Sequence, residues 1–305
     1  VTSRPIPDAA ALRRWLLGPE VAGDGDAIRS WAPGGYDYPE AGGLWLSWLA
    51  ACAPDHPRGD AVAAWLSRAI DADAVGRDGV GYTFDLGVVL TGLLRWSTAT
   101  ATPPSPSVIR GATRLVEVIA ARRALTSGTA ASRWSTRFGG HLGKLALALD
   151  ALDAVQIVDT VDARATLVAL QEPDDGAVYL HARLYALEGA WVLGDAEAVA
   201  QGAGWLAEIQ RLDGAIAARW DPARGPDGPG RADATAQAVR LWCAADPSRF
   251  AVAIERALAW LAGMQTDSGA IDYDDRTAHR NVWCTLFTAQ ALAFATSGPD
   301  RGVLL

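Results

Sequence analysis

Apolar positions recur along almost the whole chain at spacings of three and four, the period of a helix with one buried face. Two kinds of helical run alternate. Runs near 8–18, 61–71, 106–122, 159–171, 196–210 and 248–265 carry Arg, Glu and Asp along one side, as helices facing water do. Between them, runs near 40–52, 82–96, 138–152, 181–194, 231–244 and 279–295 are rich in Gly, Ala, Leu and Trp and hold few charges. Pro39 at the start of a run, Gly194-Asp195 after one and Pro247-Ser248 between two are sensible punctuation. Ile and Thr are sparse and no β-branched alternation persists, so strands are expected to be nearly absent. Six alternating pairs predict an all-α fold, a single (α/α)6 toroid spanning residues 1–305 as one domain. The lightly charged helices would form an inner ring covered on both faces, and the amphipathic ones an outer ring. The glycine- and proline-bearing segments 19–39, 72–81, 123–137 and 217–230 would then cap one end, and long connections of this kind are more often functional than not.

Composition narrows the function classes. A net charge of −8 with no basic cluster offers no footprint for a phosphate backbone, so nucleic acid is not an expected partner. The longest apolar runs, such as Leu145–Leu149, fall well short of the ~20 residues that span a bilayer, and no membrane insertion is expected. Residues 1–20 show no signal-peptide pattern, which makes cytoplasmic the expected location. Cys52, Cys243 and Cys284 have no CxxC spacing and suggest no disulfide framework. No GxxxxGK[ST] or GxGxxG element is present, and His279 and Cys284, five apart, are poorly spaced for zinc; no cofactor or metal is expected. Of 27 basic residues only Lys144 is a lysine.

A repeat lies inside the helical pattern. Gln171-Glu-Pro-Asp-Asp-Gly-Ala-Val178, Gln210-Arg-Leu-Asp-Gly-Ala-Ile216 and Gln265-Thr-Asp-Ser-Gly-Ala-Ile271 each follow an outer run, and the last two are matched upstream as Gly204-Trp-Leu-Ala-Glu-Ile-Gln210 and Ala259-Trp-Leu-Ala-Gly-Met-Gln265. The glycine suits a tight turn, and the glutamine can tie turn backbone to a helix end. This unit resembles the QW-type repeat of the squalene cyclase and protein prenyltransferase toroids, with Val178, Ile216 and Ile271 where that motif ends in an aromatic. Asp272-Tyr273-Asp274-Asp275 also resembles the DxDD pattern of class II terpene cyclases, in which the middle acid protonates an alkene or epoxide. That resemblance implies Asp274 as the acid; single-ring terpene enzymes of the linalool dehydratase-isomerase type show that one toroid can suffice.

In such a ring all inner helices run parallel and their N-termini converge on one mouth. Three of four histidines, His141, His181 and His279, fall in first turns of inner runs, and Tyr36, Tyr38, Tyr82, Tyr179, Tyr185 and Tyr273 all lie in or just before such turns. His181, Tyr185 and Glu188 share one helical face, aligning imidazole, phenol and carboxylate down the lumen; deep burial would disfavour the charged form of Glu188 unless a cation sits beside it. Arg137, His141 and Lys144 share a face of the third inner run. Asp233 and Gln237 share one on the fifth, Tyr82 and Asp85 open the second, and His279, Asn281 and Trp283 open the sixth.

The residues support three readings. The first is a cofactor-independent cyclase, isomerase or lyase on a terpenoid or similar apolar small molecule, with Asp274 as acid and Glu188 or His181 as base, and aromatic faces stabilising cations. Asp233 and His279 are further candidates for proton transfer. The second is a glycan-processing lyase, hydrolase or epimerase: Tyr185, His181 and Glu188 would move protons, Arg137 and Lys144 would hold a carboxylate, and Trp134, Trp220 or Trp283 would stack on a sugar. Tyr36, Tyr38, Tyr82, Asp85, His141, Gln237 and Asn281 complete the expected substrate-binding set. The third is a non-catalytic binding toroid. The deep lumen discriminates the first two, since rings of aromatics favour the terpenoid and charged pairs reaching the floor favour the glycan.

Overall fold

The computed structural model describes residues 4–123, 138–170 and 178–305. Twelve α-helices alternate between two concentric rings among these residues. The outer helices are α1 (Ala9–Leu16), α3 (Arg58–Asp71), α5 (Pro106–Ala120), α7 (Val161–Val168), α9 (Ala196–Ile209) and α11 (Ala251–Gly263). The inner helices are α2 (Pro39–Cys52), α4 (Thr83–Ala99), α6 (Ala146–Val155), α8 (Leu180–Leu193), α10 (Ala232–Ala245) and α12 (Val282–Ser297). Inner helices pack in sequence, α2 on α4, α4 on α6, and so on to α12, which returns to α2 and closes the ring. Burial follows the charge pattern: every residue of α10 from Ala232 to Cys243 is buried, whereas α9 buries only Val199, Ala203, Leu206 and Ile209. No helix among the described residues is long and apolar enough to cross a membrane.

Two elements depart from the sequence reading. The third inner run opens as a 3-10 stretch, Gly140–Leu145, before α6 begins, because Gly139, Gly140 and Gly143 weaken the α-helical form there. Strands are also present, all between an outer helix and the next inner one. They are β1 (Trp31–Ala32), β2 (Gly76–Arg77), β3 (Val80–Gly81), β4 (Val178–Tyr179), β5 (Ala217–Asp221), β6 (Gly225–Gly230), β7 (Ile271–Asp274) and β8 (Thr277–Asn281). They form antiparallel sheets ordered β1-β8-β7, β2-β3 and β4-β5-β6. Strands this short, one of them Gly-Pro-Asp-Gly-Pro-Gly, cannot show alternating apolar residues, so they leave no trace in the hydropathy pattern. The sheets cluster at the mouth, and β1 pairing with β8 joins the first unit to the last.

The repeated glutamine and glycine are the joints of the outer ring. Gln210 Nε2 donates to Gly214 O at 2.9 Å and to Ala253 O of α11 at 3.0 Å. Gln265 does the same one unit later. Its Nε2 donates to Gly269 O and to Asp8 O, and its Oε1 accepts from Asp8 N at 2.7 Å. Asp8 is the N-cap of α1, so this clasp ties the last unit to the first. Gly214 and Gly269 have φ of 103° and 97°, and a Cβ on either would lie 2.3 or 2.2 Å from a carbonyl oxygen, of Arg256 in α11 or Ala11 in α1. The next outer helix therefore lies directly against each turn. The motif's last residue is fixed toward the inner ring: Ile216 N donates to Thr235 Oγ1 and Ile271 N to Thr285 Oγ1, at 2.9 and 3.0 Å.

The opposite end is closed by the residues after α12. Leu304 and Leu305 are buried; Arg95 Nη1 donates to Leu304 O, Gln290 Nε2 to Val303 O, and Leu305 N to Gln290 Oε1. Gly269→Ala, strained in φ and driven into α1, is expected to lower the unfolding free energy by about 3 kcal/mol, and Gln265→Ala by about 1–2 kcal/mol. Urea unfolding followed by circular dichroism measures both, and equal midpoints for wild type and Gly269→Ala would contradict the joint.

Candidate functional site

Inner-helix N-termini and hairpins meet at the mouth, and three acidic side chains converge there from three inner helices. Glu40 stands in the first turn of α2, Asp85 in that of α4 and Asp233 in that of α10. Their surroundings sort them. The Tyr38 hydroxyl lies between Glu40 and Asp85 as a hydrogen-bond partner of each, with one hydrogen to give. Burial raises the Glu40 carboxyl to about 7, with the charge of Asp233 adding to the rise and the Tyr38 bond opposing it. Burial, then the charge of Glu40, pushes Asp85 well above the usual carboxylate range, and its Oδ2 is buried without a hydrogen-bond partner. Asp233 behaves oppositely. Burial would raise it too, but Arg231 Nη2 donates at 2.5 Å and Ala234 N at 2.7 Å, and it is held below its ordinary value. Two proton-retaining acids thus face an ionised one.

Arg231 is itself enclosed. Its Nη1 donates to Tyr179 Oη at 2.7 Å, and its guanidinium lies 3.7 Å from the centroid of the Tyr273 ring. Burial is the largest influence and opposes its charge, yet Asp233 together with Tyr179, Tyr273 and Cys284 outweighs it and its pKa rises. Aromatic rings continue the wall on one side. His279 stacks on Trp31 at 6.1 Å, Trp31 meets Tyr36 edge-on at 5.0 Å, Tyr36 contacts Tyr38, and Tyr38 and Tyr273 both approach Trp283.

Below this rim the lumen is polar to its floor. His181 Nδ1 lies 2.7 Å from Gln237 Oε1 and 3.5 Å from Asp233 Oδ2. One turn deeper is Tyr185, its ring 4.5 Å from the imidazole, its phenol pushed well up by burial and by the charge of Glu40. Deeper again, fully buried Glu188 accepts from Lys144 Nζ at 2.5 Å, from Arg240 Nη2, and from Gln237 Nε2 at 3.3 Å. Lys144 also donates to Leu305 O, and Arg240 to Gln290 Oε1, so the cluster is bonded to the closed end. Burial pulls Lys144 down, against the pull of Glu188. Burial likewise lowers His181, and it lowers His141 to about 4.

The structure thus gathers His181, Tyr185, Glu188, Asp233, Gln237 and Lys144 into one continuous column, with His141 and Phe84 against its side. Tyr36, Tyr38, Asp85 and Trp283 stand at the rim, as does His279, which is exposed. Tyr82 is buried immediately before α4. Three residues have local duties. Asn281 caps α12 by accepting from Cys284 N, Asp274 Oδ1 accepts from Arg276 N and Thr277 Oγ1 in the β7–β8 turn, and Trp220 packs edge-on against Trp205 of outer helix α9. Trp134 and Arg137 lie outside the described residues. Cys284, whose thiol burial pushes well up, is no thiolate. No cluster of three metal-ligating side chains occurs among the described residues. Sequence reasoning missed Glu40, Arg231 and Arg240. Glu40 was findable, two residues past Tyr38 in the first turn of an inner run.

No protein-family model and no curated protein matches the sequence. Solved structures do match its shape. A glycosidase variant in complex with glucose superposes with a TM-score of 0.66 at 12% identity, covering 96% of this chain and 100% of that one. An unsaturated glucuronyl hydrolase specific for heparin gives 0.63 at 12%, over 94% and 96%. A protein from Actinoplanes gives 0.60 at 17%, over 95% and 100%. The fold is the (α/α)6 toroid. At these identities the likeness establishes the fold alone.

The expectation of a terpenoid cyclase, isomerase or lyase is corrected by these findings. The matched toroids include carbohydrate hydrolases, which back the glycan-processing alternative over the terpenoid one. The lumen agrees, since its floor is the Lys144–Glu188–Arg240 cluster where an apolar substrate would need a dry aromatic wall. The acid expected from the DxDD pattern, Asp274, accepts hydrogen bonds within a hairpin turn.

Two outcomes follow from the electrostatics. Glu188→Ala leaves Lys144 and Arg240 buried without a counter-charge and is expected to destabilise by about 3–5 kcal/mol, read from the denaturant midpoint. Glu40, raised in the folded state, contributes stability below its unfolded value that is lost as pH rises through about 7. Glu40→Gln should therefore flatten the fall of melting temperature between roughly pH 4.5 and 7, and an unchanged slope would remove Glu40 from that account.

Proposed function

We propose that this chain is a glycan-processing hydrolase that cleaves a glycosidic bond at the mouth of the toroid. The observation that carries the reading is the Glu40–Tyr38–Asp85 group, two carboxyls raised toward or above neutral pH by burial, with the charge of Asp233 adding to the rise of Glu40 and that of Glu40 to the rise of Asp85. Glycosidic cleavage needs a proton on the leaving oxygen as the C–O bond breaks, and a second group to take a proton from the attacking water. The Glu40–Asp85 pair supplies the first. His181, neutral through burial, is the candidate for the second. Water adds to the anomeric carbon, its proton passes to the acceptor, and the products are a free sugar hydroxyl and an alcohol.

The other residues support these two. Asp233 holds Arg231, and Arg231 orders Tyr179 and Tyr273; Glu188 pairs with both Lys144 and Arg240 beneath the reacting groups. The Trp31, Tyr36, Tyr38 and Trp283 rings provide apolar faces against which sugar C–H groups pack. A toroid of this shape holding glucose, and another acting on heparin-derived glucuronyl sugar, are consistent with the reading.

The test is release of reducing ends from a panel of neutral and uronate-containing oligosaccharides. Glu40→Gln and Asp85→Asn should each lower kcat by about 10²-fold or more, while Leu212→Ser, at a fully exposed outer position, should not. Turnover should fall as pH passes about 7, where Glu40 loses its proton. Full activity in both acid variants, or binding of glycans without any cleavage, would defeat the proposal.

A further inference from the structure

We infer that Gln237, oriented by Glu188, is a positioning residue that fixes His181 as its Nδ1–H tautomer and leaves Nε2 as the nitrogen with the lone pair.

The argument starts at the floor and moves upward. Both Glu188 oxygens face cations, Lys144 at Oε2 and Arg240 at Oε1, so this carboxylate only accepts. The Gln237 atom beside Oε2 must then be the one that donates, its Nε2 amide group. An amide has two ends. Once Nε2 faces Glu188, Oε1 faces His181 Nδ1 at 2.7 Å, and a carbonyl oxygen there accepts only. Nδ1 must carry a hydrogen. Asp233 Oδ2, 3.5 Å from Nδ1, is also an acceptor, already held by Arg231. The tautomer of a histidine is set by the partner of its other nitrogen, and here that partner's own orientation is set by a buried charge.

The remaining charged and titratable groups near the ring do not reverse this. Tyr185 of α8 contacts it from one turn below, Tyr179 of β4 lies edge-on at 6.2 Å, Arg231 at the N-cap of α10 disfavours a positive imidazole, and His141 before α6 is itself lowered by burial. Burial is the largest influence on His181 and keeps the ring neutral, so the one hydrogen resides on Nδ1.

The geometry stands apart from the substrate; only its use in proton acceptance rests on the hydrolase reading. The two are separable by experiment. Long-range 15N–1H correlation spectra of the full chain with labelled histidine at neutral pH report the tautomer directly, with His181 assigned by comparison with His181→Gln. The Nδ1–H pattern is expected. An Nε2–H or doubly protonated pattern would overturn the inference whatever the enzyme does. Gln237→Leu removes the acceptor and should shift the population toward Nε2–H; Glu188→Gln frees the amide of Gln237 to turn and should shift it in part. An unchanged tautomer in a folded Gln237→Leu variant also counts against it, and if neither variant folds the wild-type spectrum decides. Where a hydrolysed glycan is in hand, Gln237→Leu should lower kcat about 10²-fold with KM little changed. A tautomer as inferred with no turnover on any glycan would leave this inference standing and remove the hydrolase reading.

Discussion

A carboxylate on the axis of a closed helical ring has no water to stabilise it, and the interior of this protein is arranged around that one constraint. Glu188 is fully buried. It is tolerated because Lys144 and Arg240 reach it from neighbouring inner elements and because each cation has a second acceptor, Leu305 O and Gln290 Oε1. Removing Glu188 leaves two desolvated cations without a counter-charge, which is the condition that makes buried ion clusters strict about geometry. The strictness extends upward, through Gln237, to the imidazole of His181.

At the mouth the same physics is used with the opposite result. Asp233 is given a guanidinium and stays ionised, whereas Glu40 and Asp85 are given only a phenol and each other, and keep a proton. Three carboxyls within one opening thus acquire distinct chemical characters from their partners alone. The residues that make the difference, Arg231 and Tyr38, come from the ends of connections that β-pairing holds in place: Arg231 follows β6, and Tyr38 follows the loop in which β1 pairs with β8.

How much of this the sequence reveals depends on range. The alternation of charged and uncharged helical runs reports burial directly, so the double ring was legible, as were Gln210, Gln265 and their glycines as turn elements. That Gln265 grasps Asp8, at the far end of the chain, was not, because a side chain's partner some 250 residues away leaves no local mark. The helical face shared by His181, Tyr185 and Glu188 was visible by counting. Arg240, three residues past Gln237 in an apolar helix, shows its meaning only when α8 and α10 are side by side. The acid of the DxDD-like stretch illustrates the converse: a local pattern can match while the fold spends its middle residue on a hairpin. The discriminating question, whether charge reaches the floor of the lumen, needed three helices to be placed at once.

The closed end of the ring has a consequence for traffic. Among the described residues, Leu304, Leu305 and the ion cluster fill the far side of the ring, which leaves the rim of tyrosines and tryptophans as the way in and out. A polymer cannot thread through a ring filled in this way. Whatever enters at the rim must leave by it before the next arrival, so the order of traffic is dictated by a plug at the opposite end.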